Sequence, residues 1–301
     1  MLTAPNGQGK GKNNRRSSPC GATAAQAFDD SLRKLLSTAH IGVDEAGRGC
    51  LAGPVVAGAA LFPQDFSFAD FLPGLDDSKK LSPAKRDALA PLVRRHALAW
   101  GIGVSWQEEI DAANILNATF RAMSRAVYAL AARRAGAAGA EGAFSLPHLI
   151  IDGNHTIPEA QWDLSTGYVC PGFATGALEA WAAAADSSEV ALAGGSPTTS
   201  GIFGVGDSLG DFCSLRLPSQ HFLIQGDSRC PSIAAASILA KTARDAIMAA
   251  LDPLFPGYAF AEHKGYGTAT HLAALETNGP CPLHRMTFRK VRPEERQLSL
   301  I

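Results

Sequence analysis

The sequence predicts an α/β fold, and three observations point there. Short apolar runs of strand length recur at 41–43, 55–61, 98–105 and 148–151. Longer stretches with helical character lie between and after them, chiefly 107–134 and the alanine-rich 231–245. Three apolar runs also end alike, with a carboxylate beside glycine: Asp44 and Glu45 before Gly47, Asp152 before Gly153, and Asp227 after Gly226.

Length and composition bound the class. The chain has 301 residues, 46% of them hydrophobic, enough for one large or two modest domains with a substantial core. A net charge of -1 means that any nucleic-acid contact must use local patches rather than bulk charge. Six scattered cysteines form no Cys-x-x-Cys pair, which implies neither a disulfide framework nor a zinc finger and suits a reducing, cytoplasmic setting. No apolar run reaches membrane-spanning length, and the first residues lack a signal-peptide core. Nothing in the pattern demands an oligomer, so a monomer is expected.

Taken in order, residues 1–36 read as a largely disordered basic tail, with Lys10, Lys12, Arg15 and Arg16 clustered and a short helix at 24–36. A hairpin follows at 39–62. Its turn carries Asp44 and Glu45, then Gly47-Arg48-Gly49. Adjacent strand residues face opposite sides, so the two acids share a site only where the strand ends or bends, which glycine permits. Lys79 and Lys80 precede Ser82-Pro83, a capping hydroxyl followed by proline at the first helical position. A helix N-terminus beside two lysines can hold a phosphate. That helix runs toward Arg95, with Pro91 expected to kink it.

A strand is expected at 98–105 and one long amphipathic helix at 107–134, its stripe including Ile110, Asn114, Leu116, Phe120, Met123, Val127 and Leu130. A Gly/Ala linker at 135–143 leads to the strand ending at Asp152. Residues 155–220 carry Ser, Thr, Gly and Pro clusters and read as a loop-rich insertion within a catalytic unit of 37–250. The last apolar run ends at Asp227 and is followed by the helix beginning Pro231. A C-terminal helical region covers 251–292 and a flexible tail 293–301.

Asp44, Glu45, Asp152 and Asp227 are the candidate catalytic and metal-ligating residues, each read as closing a short strand. If those strands are neighbours, the acids converge. Clustered carboxylates repel one another unless cations neutralise them, and an oxygen-only set suits Mg2+ or Mn2+. Such ions serve phosphodiester hydrolysis.

Together the motifs resemble bacterial ribonuclease HII. They are Asp44-Glu-Ala-Gly-Arg-Gly49, Asp77-Ser-Lys-Lys-Leu81, Ile151-Asp-Gly-Asn154, Gly226-Asp227 with Ile233-Ala-Ala-Ala-Ser-Ile-Leu-Ala-Lys241 and Arg244-Asp245, and His263-Lys-Gly-Tyr-Gly-Thr268. The resemblance implies a ribonuclease H-like fold, a mixed sheet flanked by helices with a small helical C-terminal region. It implies two-metal cleavage of the RNA strand of RNA–DNA hybrids and of ribonucleotides embedded in duplex DNA, leaving 5′-phosphate and 3′-hydroxyl ends. It places the four acids on the family's metal site, Gly47, Arg48 and Gly49 on its ribonucleotide-sensing turn, and Tyr266 on the tyrosine packing at the RNA–DNA junction. The link from Asp152 to Asp227 is several times longer than the family's usual one. Two other readings stand beside this one: a catalytically silent nucleic-acid binder, and another two-metal nuclease of the same fold. Separately, Gln297-Leu-Ser-Leu-Ile301 resembles a sliding-clamp docking motif, with Ile301 in place of the usual aromatic residue.

Overall fold

The computed structural model of the chain describes residues 20–36, 39–138, 146–162 and 217–291. In chain order the elements are α1 (Cys20–Leu36), β1 (His40–Ala46), β2 (Val55–Leu61), α2 (Phe68–Phe71), α3 (Pro83–His96), β3 (Ala99–Ser105), α4 (Gln107–Ala113), α5 (Ile115–Ala138), β4 (His148–Asp152), β5 (Gln220–Leu223), α6 (Gly226–Arg229), α7 (Pro231–Leu251), α8 (Phe260–His263) and α9 (Ala269–Asn278). The five strands form one sheet in the order β3-β2-β1-β4-β5. The first three are antiparallel; β4 and β5 run parallel to β1. This is the mixed sheet flanked by helices that the sequence predicts.

Both faces of the sheet are covered, so β2 is buried along its whole length. Alternation along a strand divides its side chains between two cores. Val56 and Ala60 pack with Leu239, Ala243 and Ile247 of α7. Val55, Ala57 and Ala59 pack with Met123, Val127 and Leu130 of α5. The small residues of α7 let it lie directly on the sheet. A Cβ at Gly58 would stand 2.3 Å from the Ala236 carbonyl oxygen, so only glycine fits there. Among the described residues the C-terminal region shares the main core: Tyr258, Phe260 and Leu283 belong to the same apolar cluster as Val56 and Trp100.

The structure departs from the sequence reading at several elements. The short helix expected at 24–36 is present but starts earlier, at Cys20, within the stretch read as disordered. Phe28, Leu32 and Leu36 recur at four-residue spacing and lay an apolar stripe on Ile150, Cys230 and Ile233. The expected long helix at 107–134 is two helices. Asn114 takes a left-handed backbone (φ 72°) between them, and its side-chain oxygen accepts from the Leu116 and Asn117 amides, each at 3.0 Å. That cap starts α5, which continues to Ala138 and so takes in the first part of the expected linker. Helix α3 begins as read, with Ser82 accepting from the Lys85 amide, and runs through Pro91 to His96. The expected insertion begins inside the core: Ile157 and Trp162 are buried with the α5 cluster. Its residues 163–216 lie outside the described residues, as do residue 292 and the tail at 293–301. Among the described residues no helix is long and apolar enough to cross a membrane.

Candidate active site

The register of two parallel strands brings the first acids together. Val43 of β1 pairs with Ile151 of β4, so the next residues, Asp44 and Asp152, emerge side by side. Asp227 arrives differently from the expectation. Strand β5 stops at Leu223, opposite Asp152, and its Phe222 is exposed, as an edge strand allows. Gln225 then turns left-handed (φ 55°), and Asp227 sits on the single turn of α6. The Gly226 amide donates to Asp152 Oδ1 at 2.7 Å, tying that turn to β4. The result is a trio: Asp44, Asp152 and Asp227 each place a carboxylate oxygen within 4.8 Å of the others.

Glu45 stands outside the trio, because the next residue on a strand faces the other side of the sheet. It opens on a hollow shared with Arg48, Phe120, Asp152 and His155, and its Oε1 lies 3.5 Å from Arg48 Nη1. Lys79 reaches the trio, with Nζ 3.2 Å from Asp227 Oδ2. Lys80 instead pairs with Asp76 at 3.2 Å on the surface.

The electrostatics reflect this crowding. Burial, then the charges of Glu45 and Asp152, hold the Asp44 carboxyl well above the ordinary carboxylate range. Burial pushes Glu45 up too, with Arg48 opposing and Asp152 adding. Burial and then Asp227 raise Asp152. Burial works against the Lys79 charge, but its hydrogen bond to Asp227 and the charges of Asp227, Asp44 and Asp77 together outweigh that and keep the ammonium above its ordinary range. Three buried or half-buried carboxylates crowded so closely are a donor set for a hard divalent cation, which would relieve the repulsion. The residues present fit such an ion.

The turn after β1 is built against two arginines whose role the sequence did not reveal. Gly47 has φ 90°, and a Cβ there would meet Arg244 Nε at 1.9 Å. Gly49 has open space at the same test. Arg244 is fully buried and donates to the carbonyls of Pro54 (2.9 Å), Lys264 (2.8 Å) and Ala52 (3.1 Å). Arg285, equally buried, donates to those of Gly47 (2.7 Å), Arg48 (2.9 Å) and Gly53 (3.0 Å). Local sequence does not distinguish a buried arginine from a surface one; the nearest signal was that Arg244 belongs to a recognisable motif.

Tyr266 joins the same assembly. The Leu51 amide donates to the Gly265 carbonyl at 2.8 Å, and the Tyr266 ring lies 5.1 Å from Lys241 Nζ and 5.8 Å from Arg244 Cζ. Tyr266 as a whole residue keeps 40% of its surface exposed. Beneath it, His271 Nδ1 lies 2.9 Å from the Tyr266 carbonyl and His271 Nε2 lies 3.0 Å from His284 Nε2.

Residues 41–137 and 218–291 match the family model for ribonuclease HII. The chain belongs to the ribonuclease HII family. A ribonuclease HII of Nitratidesulfovibrio vulgaris is 44% identical over 86% of this chain and 91% of its own. That of Oleidesulfovibrio alaskensis is 40% identical over 88% of this chain and 82% of its own. A crystal structure of Bst-RNase HIII in complex with Mn2+ superposes with a TM-score of 0.50 at 17% identity, covering 93% of this chain and 74% of that one, and shares the fold. This ribonuclease HII is therefore a ribonuclease H type 2, a hydrolase that cuts RNA–DNA hybrids as an endonuclease. The family match passes over 138–217, which contains most of the expected insertion.

Proposed function

We propose that this ribonuclease HII cleaves single ribonucleotides embedded in duplex DNA as well as the RNA strand of hybrids, leaving 5′-phosphate and 3′-hydroxyl ends. The observation that carries the reading is the convergence of Asp44, Asp152 and Asp227 beside Lys79. These aspartates would hold Mg2+ or Mn2+, with Glu45 alongside on the Asp152 flank. When bound, such ions activate the attacking water and stabilise the departing 3′ oxygen. The protein supplies the rest. Lys79 offers a cation next to Asp227 where a phosphate can dock. The Gly47-Arg48-Gly49 backbone, held by Arg285 and packed against Arg244, presents rigid groups to a 2′-hydroxyl, the group that separates RNA from DNA at one position. The exposed face of Tyr266 offers a packing surface for the neighbouring sugar.

The deciding assay uses a duplex with one embedded ribonucleotide beside an all-DNA control, with and without Mg2+, for the native chain and Tyr266→Ala. Magnesium-dependent cleavage of the first duplex alone is expected. Tyr266→Ala should lose more activity on it than on a long hybrid, because a lone ribonucleotide offers one 2′-hydroxyl. Cutting of the all-DNA control, or equal losses on both ribonucleotide substrates, would contradict the reading. We further propose, from its motif alone, that Gln297–Ile301 docks on a sliding clamp. That segment lies outside the described residues, and a clamp titration against a chain ending at Arg296 tests it: equal affinities reject it.

A further inference from the structure

A second polar cluster is buried at the other end of β1. Asp29 of α1, His40 at the start of β1, and Cys230 and Ser232 at the start of α7 converge on one point, all at 2% exposure or less. His40 and Asp44 are four residues apart on one strand, so this point lies roughly 13 Å from the aspartate trio. Asp29 Oδ1 is 3.0 Å from His40 Nε2 and 3.2 Å from Cys230 Sγ. Ser232 Oγ is 2.9 Å from His40 Nε2 and 3.1 Å from Cys230 Sγ, and Sγ is 3.6 Å from Nε2.

Hydrogen bonding accounts for only part of this packing. Four atoms make five close contacts. With the Asp29 carboxylate ionised and paired with Arg33, and the other side chains neutral, at most three hydrogens reach them, one each on Nε2, Sγ and Oγ. At least two contacts therefore have no hydrogen of their own. A central cation would serve every atom at once. Donors about 2.0–2.3 Å from a tetrahedral zinc ion lie roughly 3.3–3.7 Å apart, and a small expansion of the cluster reaches that spacing. The donor types agree as well: sulfur, imidazole and carboxylate are what zinc takes, whereas the catalytic site offers oxygen alone. The free carboxylate oxygen, Asp29 Oδ2, accepts from Arg33 Nε at 2.6 Å, which turns Oδ1 toward the cluster. Arg33 is anchored in turn by the carbonyls of Pro63 and Gln64. Such outer partners orient metal ligands.

We propose that Asp29, His40 and Cys230, with the Ser232 hydroxyl as a fourth donor, form a structural site for a thiophilic divalent cation of the zinc class. The ion clips α1 onto β1 and α7. Binding forms a metal–sulfur bond and releases the Cys230 thiol proton to solvent, with no change of oxidation state.

The test is made on the full chain, stripped with a chelator and reloaded with Zn2+ or, as a spectroscopic probe, Co2+. The expected results are a cobalt–thiolate charge-transfer band and on the order of one tightly held zinc ion per chain. Asp152→Asn should keep both and Cys230→Ser should lose both. No band in the native chain, a band that survives Cys230→Ser, or a band lost with Asp152→Asn would overturn the site. Should Cys230→Ser fail to fold, alkylation of the native chain in mild denaturant decides. Zinc should protect Cys230 at least about tenfold, and equal modification with and without zinc rejects the proposal.

Discussion

Arg285 donates to the carbonyl of Gly47 at 2.7 Å, joining the C-terminal segment to the turn of Gly47, Arg48 and Gly49. Burial, then the nearby charge of Arg244, lowers the Arg285 guanidinium to about 9. The cost of burying it is offset by three carbonyls, those of Gly47, Arg48 and Gly53. Arg285→Ala leaves all three without this donor. It should cost on the order of 3 kcal/mol in urea unfolding and reduce cleavage of an embedded ribonucleotide more than hybrid cleavage. An unchanged unfolding midpoint would remove the bracing role.

The two glycines of the turn should respond differently. Gly47→Ala forces a side chain into φ 90° and against Arg244, so a loss of about 1–3 kcal/mol in stability is expected, together with most of the activity. Gly49→Ala meets open space and should leave stability within about 0.5 kcal/mol. Any activity that Gly49→Ala loses then reports on substrate approach rather than folding. Equal destabilisation of the two variants, read by thermal unfolding, would refute the distinction.

Asp44 opposes folding when it is ionised without a counter-ion, since burial and its neighbours hold its carboxyl up. Asp44→Asn should therefore raise the unfolding midpoint in chelator at neutral pH and abolish the stabilisation given by Mg2+. Cleavage should fall at least about a thousandfold, or ~4 kcal/mol in barrier, with duplex binding retained. Near-normal turnover would sink the metal-site assignment.

The histidines under Tyr266 predict a pH dependence. Burial holds His271 below its ordinary value of 6.5, and burial, followed by the His271 and His263 charges, lowers His284 to about 4. The native state thus binds fewer protons than the unfolded chain between about 4 and 6.5. Their stabilising contribution is complete above that window and is lost as pH falls through it. Unfolding free energies of the native chain and His284→Asn, compared across the window, should converge toward its lower end. A constant difference would show that this pair does not titrate on unfolding.

Much of the chain was legible in its residues. Strand lengths, the Ser82-Pro83 helix start and the alanine-rich α7 follow from local chemistry, and so do the carboxylate-glycine endings at Asp44 and Asp152. The path to Asp227 was not, because a tight turn at Gln225 and an edge strand with exposed Phe222 leave no periodic signal. The break at Asn114 was hidden for a related reason: one left-handed residue ends a helix without disturbing its apolar spacing. The helix at 24–36 was legible, but its start at Cys20 and the surface of α7 and β4 that it covers were not.

By itself the sequence determined which acids the chain carries, their order, and that they end strands or begin turns, since those depend on neighbours in the chain. Only the tertiary structure decided which of them meet. Parallel pairing of β1 with β4 sets Asp44 beside Asp152, strand alternation sends Glu45 to the other face, and the turn after β5 brings in Asp227. It also decided that Arg244 and Arg285 are interior braces, and that Asp29, His40 and Cys230 share one buried point. Each of these facts depends on contacts between residues far apart in sequence, and such contacts leave no trace in the spacing of either segment alone.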